Sequence, residues 1–539
     1  MIDNMTSRLV RLLAPTVATG ALLAGVSAGQ PAASASRALP TVAAAACSPD
    51  PALPKRQLRG VWLPTVANID WPSEPGLGEA QQKAELVGWL DEAADDGLNA
   101  VVLQIRPSAD AFWPSPYEPW SKYLTGTQGV SPGYDPLAFA VRAAHRRDLE
   151  LHGWFNPYRI SNDTDVRALS LTHPARVHPE WRVSYGGKLY YNPGVPAARR
   201  FVERAILDAV ENYDLDAVHF DDYFYPYPTG AVFPDRDAFR TYGTGFPDTA
   251  AGLADWRRHN INLLIKEMDQ RIAGLKPWVP FGVSPFAIWR NSTTDPAGSQ
   301  TQGLESYDDT YADTRMWVRR GWVDYIAPQI YWSIGYSVAD YAVLARWWSQ
   351  QVKDTGVRLH IGQAAYKIGD TSHDDAWGDP GEMRRHLTLN RRITTQGGQI
   401  DGDIFYSGTG VRANLLNGMG LTFAEHYRRP ALLPVNRFVD DDAPAPPHEL
   451  RATRRSNRVT LSWRGRGAWF AVYRYARRSD VVACSRSDAA HLVAVLHRAA
   501  GSPQTWRTTV PEGRRSTFVV TGLSRAHREG RPTMVTVSG

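Results

Sequence analysis

Leu215-Asp216-Ala217-Val218-His219-Phe220-Asp221-Asp222-Tyr223-Phe224-Tyr225-Pro226 begins as a β-branched, aromatic run and ends in two adjacent carboxylates and a group of rings. Such a run favours a short buried strand. Alternate side chains of a strand point to opposite faces, so Asp221 and Asp222 cannot share one packed layer, and at least one projects at the strand's end. The plain alternative is a strand-to-loop turn, where Asp is common. What surrounds the stretch decides between them.

Working outward, seven other β-rich runs share this design, at 59–63, 100–105, 149–155, 279–284, 323–327, 358–363 and 403–407. Each leads into polar or aromatic residues: Asp70-Trp71 after the first, Arg106-Pro107 after the second, Asn156-Pro157-Tyr158-Arg159 after the third. Between them lie helical patterns, such as 81–95 with Leu86, Trp89, Leu90 and Ala93 in phase. Another spans 196–212 with Phe201, Ala205, Ile206, Ala209 and Val210, and a third spans 256–272. Strands alternating with helices predict a parallel α/β architecture, and about eight units close a (β/α)8 TIM barrel. The chemistry-bearing residues follow the strands, which is the face on which such barrels carry their sites.

The pattern changes near Pro444. Short alternating runs at 459–463, 470–474 and 518–523, separated by turns, predict a small all-β sandwich resembling a fibronectin type III module. At the other end, Arg8 and Arg11 precede the apolar stretch 12–26, and Ala33-Ser34-Ala35 offers a small-residue cleavage site. The expected organisation is a signal peptide at 1–36, a Pro/Ala/Ser linker at 37–56, the barrel at 57–432 and the sandwich at 443–539. That predicts a protein that is secreted or cell-wall associated, with no membrane span after signal cleavage. In an exported chain the two cysteines, Cys47 and Cys484, could close one disulfide.

Composition excludes some functions. A formal charge of +5 on 539 residues is too small to argue nucleic-acid binding, and no nucleic-acid motif is present. His145, His152, His219 and His360 lack close ligand spacing, so no metal is expected, and a buried, satisfied His219 is the better reading. Phosphate loops, dinucleotide fingerprints and nucleophile elbows are missing, and no cofactor is expected.

Carboxylates and rings at strand ends fit a polysaccharide substrate. Glycoside cleavage needs an acid to protonate the leaving oxygen and a carboxylate to stabilise or attack the sugar cation. Asp222 is the favoured acid, with Asp221 as neighbour and Glu118 as the distant partner; burial and adjacent negative charge both raise an acid's pKa. The candidates for holding the sugar are Asp70, Trp71, Gln104, Arg106, Trp120, Asn156, Arg159, Tyr223, Tyr225, Trp289, Asn291, Gln329, Tyr331, Trp332 and Gln363. Trp154 is a further stacking candidate.

Several blocks resemble one family. Arg59-Gly60-Val61-Trp62, Asn68-Ile69-Asp70-Trp71-Pro72-Ser73, Gln104-Ile105-Arg106-Pro107 and Glu118-Pro119-Trp120-Ser121 are similar to its early blocks. Asn156-Pro157-Tyr158-Arg159, Asn192-Pro193-Gly194, Phe220-Asp221-Asp222-Tyr223, Gly282-Val283-Ser284-Pro285-Phe286 and Asp324-Tyr325-Ile326-Ala327-Pro328-Gln329-Ile330-Tyr331-Trp332 are similar to its later ones. The family is glycosyl hydrolase-like 10, and the likeness spans about 57–430. Ala287 stands where the family often has Gly. The resemblance implies a TIM barrel, export and cleavage of peptidoglycan strands. Two rivals stay open: a non-catalytic glycan-binding barrel, and a hydrolase of a different polysaccharide. The sequence does not specify oligomeric state.

Overall fold

The computed structural model describes residues 49–501 and 503–538. The predicted signal peptide, most of the linker and the pairing of Cys47 with Cys484 lie outside the described residues. Eight parallel strands close a barrel: β1 (Leu58–Leu63), β2 (Ala100–Arg106), β3 (Glu150–Phe155), β4 (Ala217–Phe220), β5 (Phe281–Val283), β6 (Tyr325–Ile326), β7 (Arg358–Ala364) and β8 (Gly402–Tyr406). Neighbours in sequence are neighbours in the sheet, and β8 closes on β1 through the pairs Leu58–Gly402 to Val61–Phe405. The chain is thus a (β/α)8 barrel, as its alternating pattern predicts.

Helices α1 (Glu79–Asp95), α2 (Pro136–His145), α3 (Pro196–Asn212), α4 (Ala250–Leu275), α5 (Thr314–Arg320), α6 (Tyr341–Val352), α7 (Glu382–Thr395) and α8 (Gly418–His426) follow the strands in turn. Their inward stripes are those read from the sequence. Leu86, Trp89, Leu90 and Ala93 of α1 are buried, and so are Phe201, Ala205, Ile206, Ala209 and Val210 of α3. Starts are set locally: α2 has Pro136 at its first turn, where a missing N–H is harmless, and Asp135 accepts from Ala138 N at 2.9 Å.

Two elements differ from expectation. The third helical pattern, read as 256–272, is one long helix over Ala250–Leu275, capped by Thr249. The sixth run, expected over 323–327, pairs as strand only at Tyr325–Ile326. Asp324 just before it accepts from Phe281 N through its carboxylate at 2.7 Å and donates its own N–H to Phe281 O at 2.7 Å, tying the start of β6 to β5.

The lumen is filled by Leu58, Ala100, Val102, Ala327 and Ile404, with Trp62 packed on them and reaching the cleft. Above them His219, fully buried, joins three strands. Trp62 Nε1 donates to its Nε2 at 3.1 Å, which places the ring proton on Nδ1, facing Tyr325 Oη at 3.0 Å. Burial holds this imidazole neutral, pushing its pKa well down. Gly282 of β5 leaves the room that the Tyr325 ring occupies, since a Cβ there would fall 2.1 Å from it.

Beyond Pro444 the chain forms two antiparallel sheets. Strands β9 (His448–Arg455), β10 (Arg458–Arg464), β11 (Trp469–Tyr475), β12 (Leu492–His497), β13 (Gln504–Thr509), β14 (Ser516–Leu523) and β15 (Thr533–Val537) are ordered β9-β10-β13 and β12-β11-β14-β15. Val459, Leu461, Trp463, Phe470, Val472, Phe518 and Val520 fill the space between the sheets. The other face of the four-stranded sheet, through Trp469, Tyr473 and Leu523, packs on Leu53 and Leu432. The domain docks on the barrel face opposite the site. His497 N donates to Asp148 at 2.7 Å, Arg525 reaches Asp214 at 2.8 Å and His527 meets Glu150 at 2.7 Å.

Candidate active site

A cleft of about 490 Å³ opens at the C-terminal ends of the strands. Its floor is Asp221 and Asp222, the first two residues past β4. Its walls come from Gln104 and Trp154 at the ends of β2 and β3, Ser284 and Phe286 after β5, Gln329, Tyr331 and Trp332 after β6, Tyr366 and Lys367 after β7, and Tyr406 ending β8. All eight strands therefore contribute through their C-terminal residues or the loops that follow, β1 through Trp62 and the loop residues Val66 and Ile69.

The two aspartates sit in unlike surroundings. Asp221 accepts from Trp154 Nε1 at 3.1 Å, from Asn156 Nδ2 at 3.0 Å to each oxygen, and from Tyr223 N at 3.3 Å. Burial raises its pKa, but the Arg159 guanidinium and these donors oppose the rise. Asp222 accepts a short hydrogen bond from Tyr227 Oη, with the Gln329 amide alongside. Burial first, and the Asp221 charge second, push Asp222 from the usual 3.8 up to about 6. Both carboxyls are raised by burial, but Asp221 is surrounded by groups that favour its charged form, whereas its neighbour holds a proton into the mildly acidic range, a contrast that acid–base chemistry uses. Gln104 Nε2 is buried without a partner while its Oε1 accepts from Thr65 N at 3.1 Å and Val66 N at 2.9 Å. A buried, unused donor lining a cleft is what a ligand oxygen would satisfy.

Of the residues expected at the site, Asp221, Asp222, Gln104, Arg159, Tyr223, Gln329, Tyr331 and Trp332 line the cleft, as does Trp154. Others support it from behind. Asn156 orients Asp221. Arg106, fully buried, donates to the Asn156 and Pro157 carbonyls and so fixes the loop that carries Asn156.

The remaining expectations are corrected by the packing. Glu118 does not face the cleft. Both its oxygens are held by Arg106, at 2.5 and 2.7 Å, with neither side chain exposed, because a buried guanidinium needs a carboxylate. Asp70 lies beneath the β8 junction, accepting from Ser407 Oγ at 3.1 Å and Thr409 Oγ1 at 2.6 Å. Trp71 is wholly buried and bonds Gln82 O at 2.8 Å. Trp120 is half-buried in a bridge with Ala111. Tyr225 points into a pocket with Phe233, Tyr311 and Arg257. Trp289 stacks on Trp347 and bonds Asp313, while Asn291 is used by Glu305 and the Gly303 carbonyl. Gln363 is spent on Tyr341, Asp403 and His386 inside the barrel wall.

Sequence reasoning missed Tyr227, Phe286, Tyr366, Lys367 and Tyr406. Tyr227 had a signal, since it continues the ring cluster five residues past Asp222. Tyr366 and Tyr406 ended runs already read as strands. Lys367 had none: its ammonium reaches the cleft by bonding the Tyr331 carbonyl at 2.7 Å, a contact between distant loops.

The family described as glycosyl hydrolase-like 10 matches residues 57–379. The chain is 44% identical to "Glycosyl hydrolase YngK" of Bacillus subtilis (strain 168) over 488 residues, 88% of this chain and 92% of that protein. It is 41% identical to "Glycosyl hydrolase DigH" of Escherichia coli (strain K12) over 363 residues, 64% of this chain and 82% of that protein. Among solved structures, the PgaB (BpsB) glycoside hydrolase domain from Bordetella bronchiseptica superposes with a TM-score of 0.44 at 14% identity, over 68% of this chain and 98% of that one. The matched segment begins at β1 and holds the aspartate pair and every cleft residue but Tyr406, so the chain belongs to the glycosyl hydrolase-like 10 family.

Proposed function

We propose that this protein is an exported glycoside hydrolase that cuts glycosidic bonds in bacterial cell-wall glycan, with Asp222 as the proton donor. The observation that carries the reading is Asp222 itself: a carboxyl with its pKa raised to about 6, on the floor of a cleft walled by Trp154, Tyr331 and Trp332. Flat rings suit the apolar faces of pyranose sugars, and a poised acid suits protonation of a leaving oxygen. The basic, apolar N-terminal stretch supports export. The three-plus-four arrangement of the C-terminal sheets supports reading that domain as a fibronectin type III module.

The test is incubation of purified wall glycan with the protein and with its Asp222→Asn variant, with products followed by mass spectrometry. Cleavage by the parent and a loss of at least about a hundredfold in the variant are expected, with glycan binding retained. Binding without cleavage by the parent would leave the glycan-binding barrel as the answer. Cleavage of another polysaccharide in preference to wall glycan would reassign the substrate.

A further inference from the structure

The acids lining the cleft are, among the described residues, Asp221 and Asp222 alone. A hydrolase using two carboxylates needs them on opposite sides of the scissile bond, about 5 to 10 Å apart. Here the only two are chain neighbours at the end of one strand. No nearby acid can serve as a third. Glu118 is locked by Arg106, and Asp70 is held beneath the floor by Ser407 and Thr409.

Asp221 is also poorly placed to attack a sugar. An ionised carboxylate offers about four acceptor sites. Trp154 Nε1, the Asn156 amide and Tyr223 N already occupy most of them. So many donors spread its charge and blunt it as a nucleophile. Asp221 nonetheless lines the cleft beside the Trp154 indole, a setting that suits a single substrate N–H, in competition with these donors, and an adjoining small apolar group. A 2-acetamido substituent has that pair: an amide N–H and a methyl.

We propose that the substrate supplies its own nucleophile, the 2-acetamido carbonyl of the sugar bound in the cleft, and that Asp221 receives its N–H while Asp222 donates the proton. The inference rests on the glycan-hydrolase reading above and narrows it to N-acetylated amino sugars. In the first step the carbonyl oxygen bonds to C1 as the C1–O bond to the leaving sugar breaks. Asp222 delivers its proton to the departing oxygen. The product is a bicyclic oxazolinium, whose N–H⁺ faces the Asp221 carboxylate. In the second step Asp222, now ionised, takes a proton from water as that water's oxygen bonds to C1. The C1–O bond to the amide carbonyl breaks, the acetamido group is restored and Asp222 is again protonated. Two displacements at C1 retain its configuration. Asp221 forms no bond to carbon and acts through the charge on nitrogen.

The test uses the full chain and glycan strands that have been chemically de-N-acetylated and then re-acylated with acetyl, fluoroacetyl or trifluoroacetyl groups. Fluorine weakens the carbonyl nucleophile without removing the N–H. Turnover is expected to fall steeply along the series, by about tenfold or more for each step, with no cleavage of the free-amine strands. Asp221→Asn, which keeps the side-chain shape, should lose at least about a hundredfold in turnover. That loss should be matched by weaker inhibition by a thiazoline analogue of the bicyclic intermediate. Equal rates across the N-acyl series, or a covalent glycosyl adduct on Asp221 found by mass spectrometry, overturns the inference while leaving the hydrolase reading intact. Cleavage of no strand, acetylated strands included, sinks both.

Discussion

Asp222 shows how a single side chain is set for its work at the expense of stability. Its folded pKa of about 6 lies above the usual 3.8. The sign follows directly: a carboxyl raised on folding favours the native state while protonated, and that advantage is lost as pH rises through about 6. At neutral pH the charged form therefore costs about 3 kcal/mol, at 1.36 kcal/mol per pKa unit. We predict that Asp222→Asn, which cannot ionise, melts higher than the parent at pH 7.5 and that the gap closes toward pH 4. A gap that does not depend on pH would contradict the raised pKa. A companion prediction concerns Tyr227. Its hydroxyl hydrogen bond favours the ionised form of Asp222. Removing it in Tyr227→Phe should move the alkaline limb of the pH–rate profile to higher pH, because the general acid keeps its proton longer. A limb unmoved or shifted down would remove Tyr227 from the control of the acid.

At the scale of elements, the barrel was legible because each strand and helix obeys a local rule. The run at 100–103 is apolar on both faces, as parallel strands between a lumen and a helical layer tend to be, while 149–155 alternates Leu149, Leu151 and Phe155 with Glu150 and His152. The helices show 3.6-residue stripes ending on small or apolar residues. The site was legible where chemistry sits within a few residues of a strand end, as with Gln104, Asp221, Asp222, Gln329 and Tyr331. It was not legible where a side chain's direction is set by a distant partner. Glu118 is the clearest example: as an acid in the second loop it fits a catalytic role, and only the guanidinium of Arg106, arriving from inside the barrel, shows otherwise. Trp71 and Gln363 were misread for the same reason, since Trp71 in the first loop turns inward onto Gln82 of α1 and Gln363 at the end of β7 turns into the barrel wall. The correction is testable. Glu118→Gln leaves the buried Arg106 charge without its counter-ion, which should destabilise the protein by about 3–5 kcal/mol. Turnover per folded molecule should stay within a few-fold of the parent at a temperature where both are native. A hundredfold loss under those conditions would restore Glu118 to the catalytic list.

At the scale of the molecule, the two ends of the barrel have separate duties. The C-terminal ends of the strands hold the cleft, and the N-terminal ends receive the β-sandwich. Seventeen arginines against five acidic residues in 443–539 give that domain a formal charge of +12, although the chain as a whole carries only +5. Docking spends part of this charge on barrel carboxylates, as Arg525 does on Asp214. The join is more than a tether, because its centre is buried. His527 from the sandwich and His152 from β3 grip the two oxygens of Glu150, at 2.7 and 2.9 Å, with all three side chains nearly excluded from solvent. Burial alone would raise the Glu150 pKa, but the His527 charge and the bonds from both rings reverse this and hold it well below the carboxylate range. A depressed pKa contributes stability above the unfolded value, about 4.3, and that contribution is lost only as pH falls through the lower folded value. The domain join should therefore survive mild acid. We predict that His527→Ala lowers stability by about 2–3 kcal/mol at neutral pH, since a buried carboxylate loses one of its two imidazole partners. The penalty should shrink as the medium is acidified to about pH 3, where Glu150 of the variant takes up a proton and that of the parent does not yet need to. Calorimetry of both proteins between pH 3 and 8 measures this. Identical melts throughout would mean that the sandwich is held without His527, by its apolar contacts with Leu53 and Leu432 and by the His497–Asp148 and Arg525–Asp214 bonds. A second, earlier transition in the variant would mean that His527 is what makes barrel and sandwich unfold together.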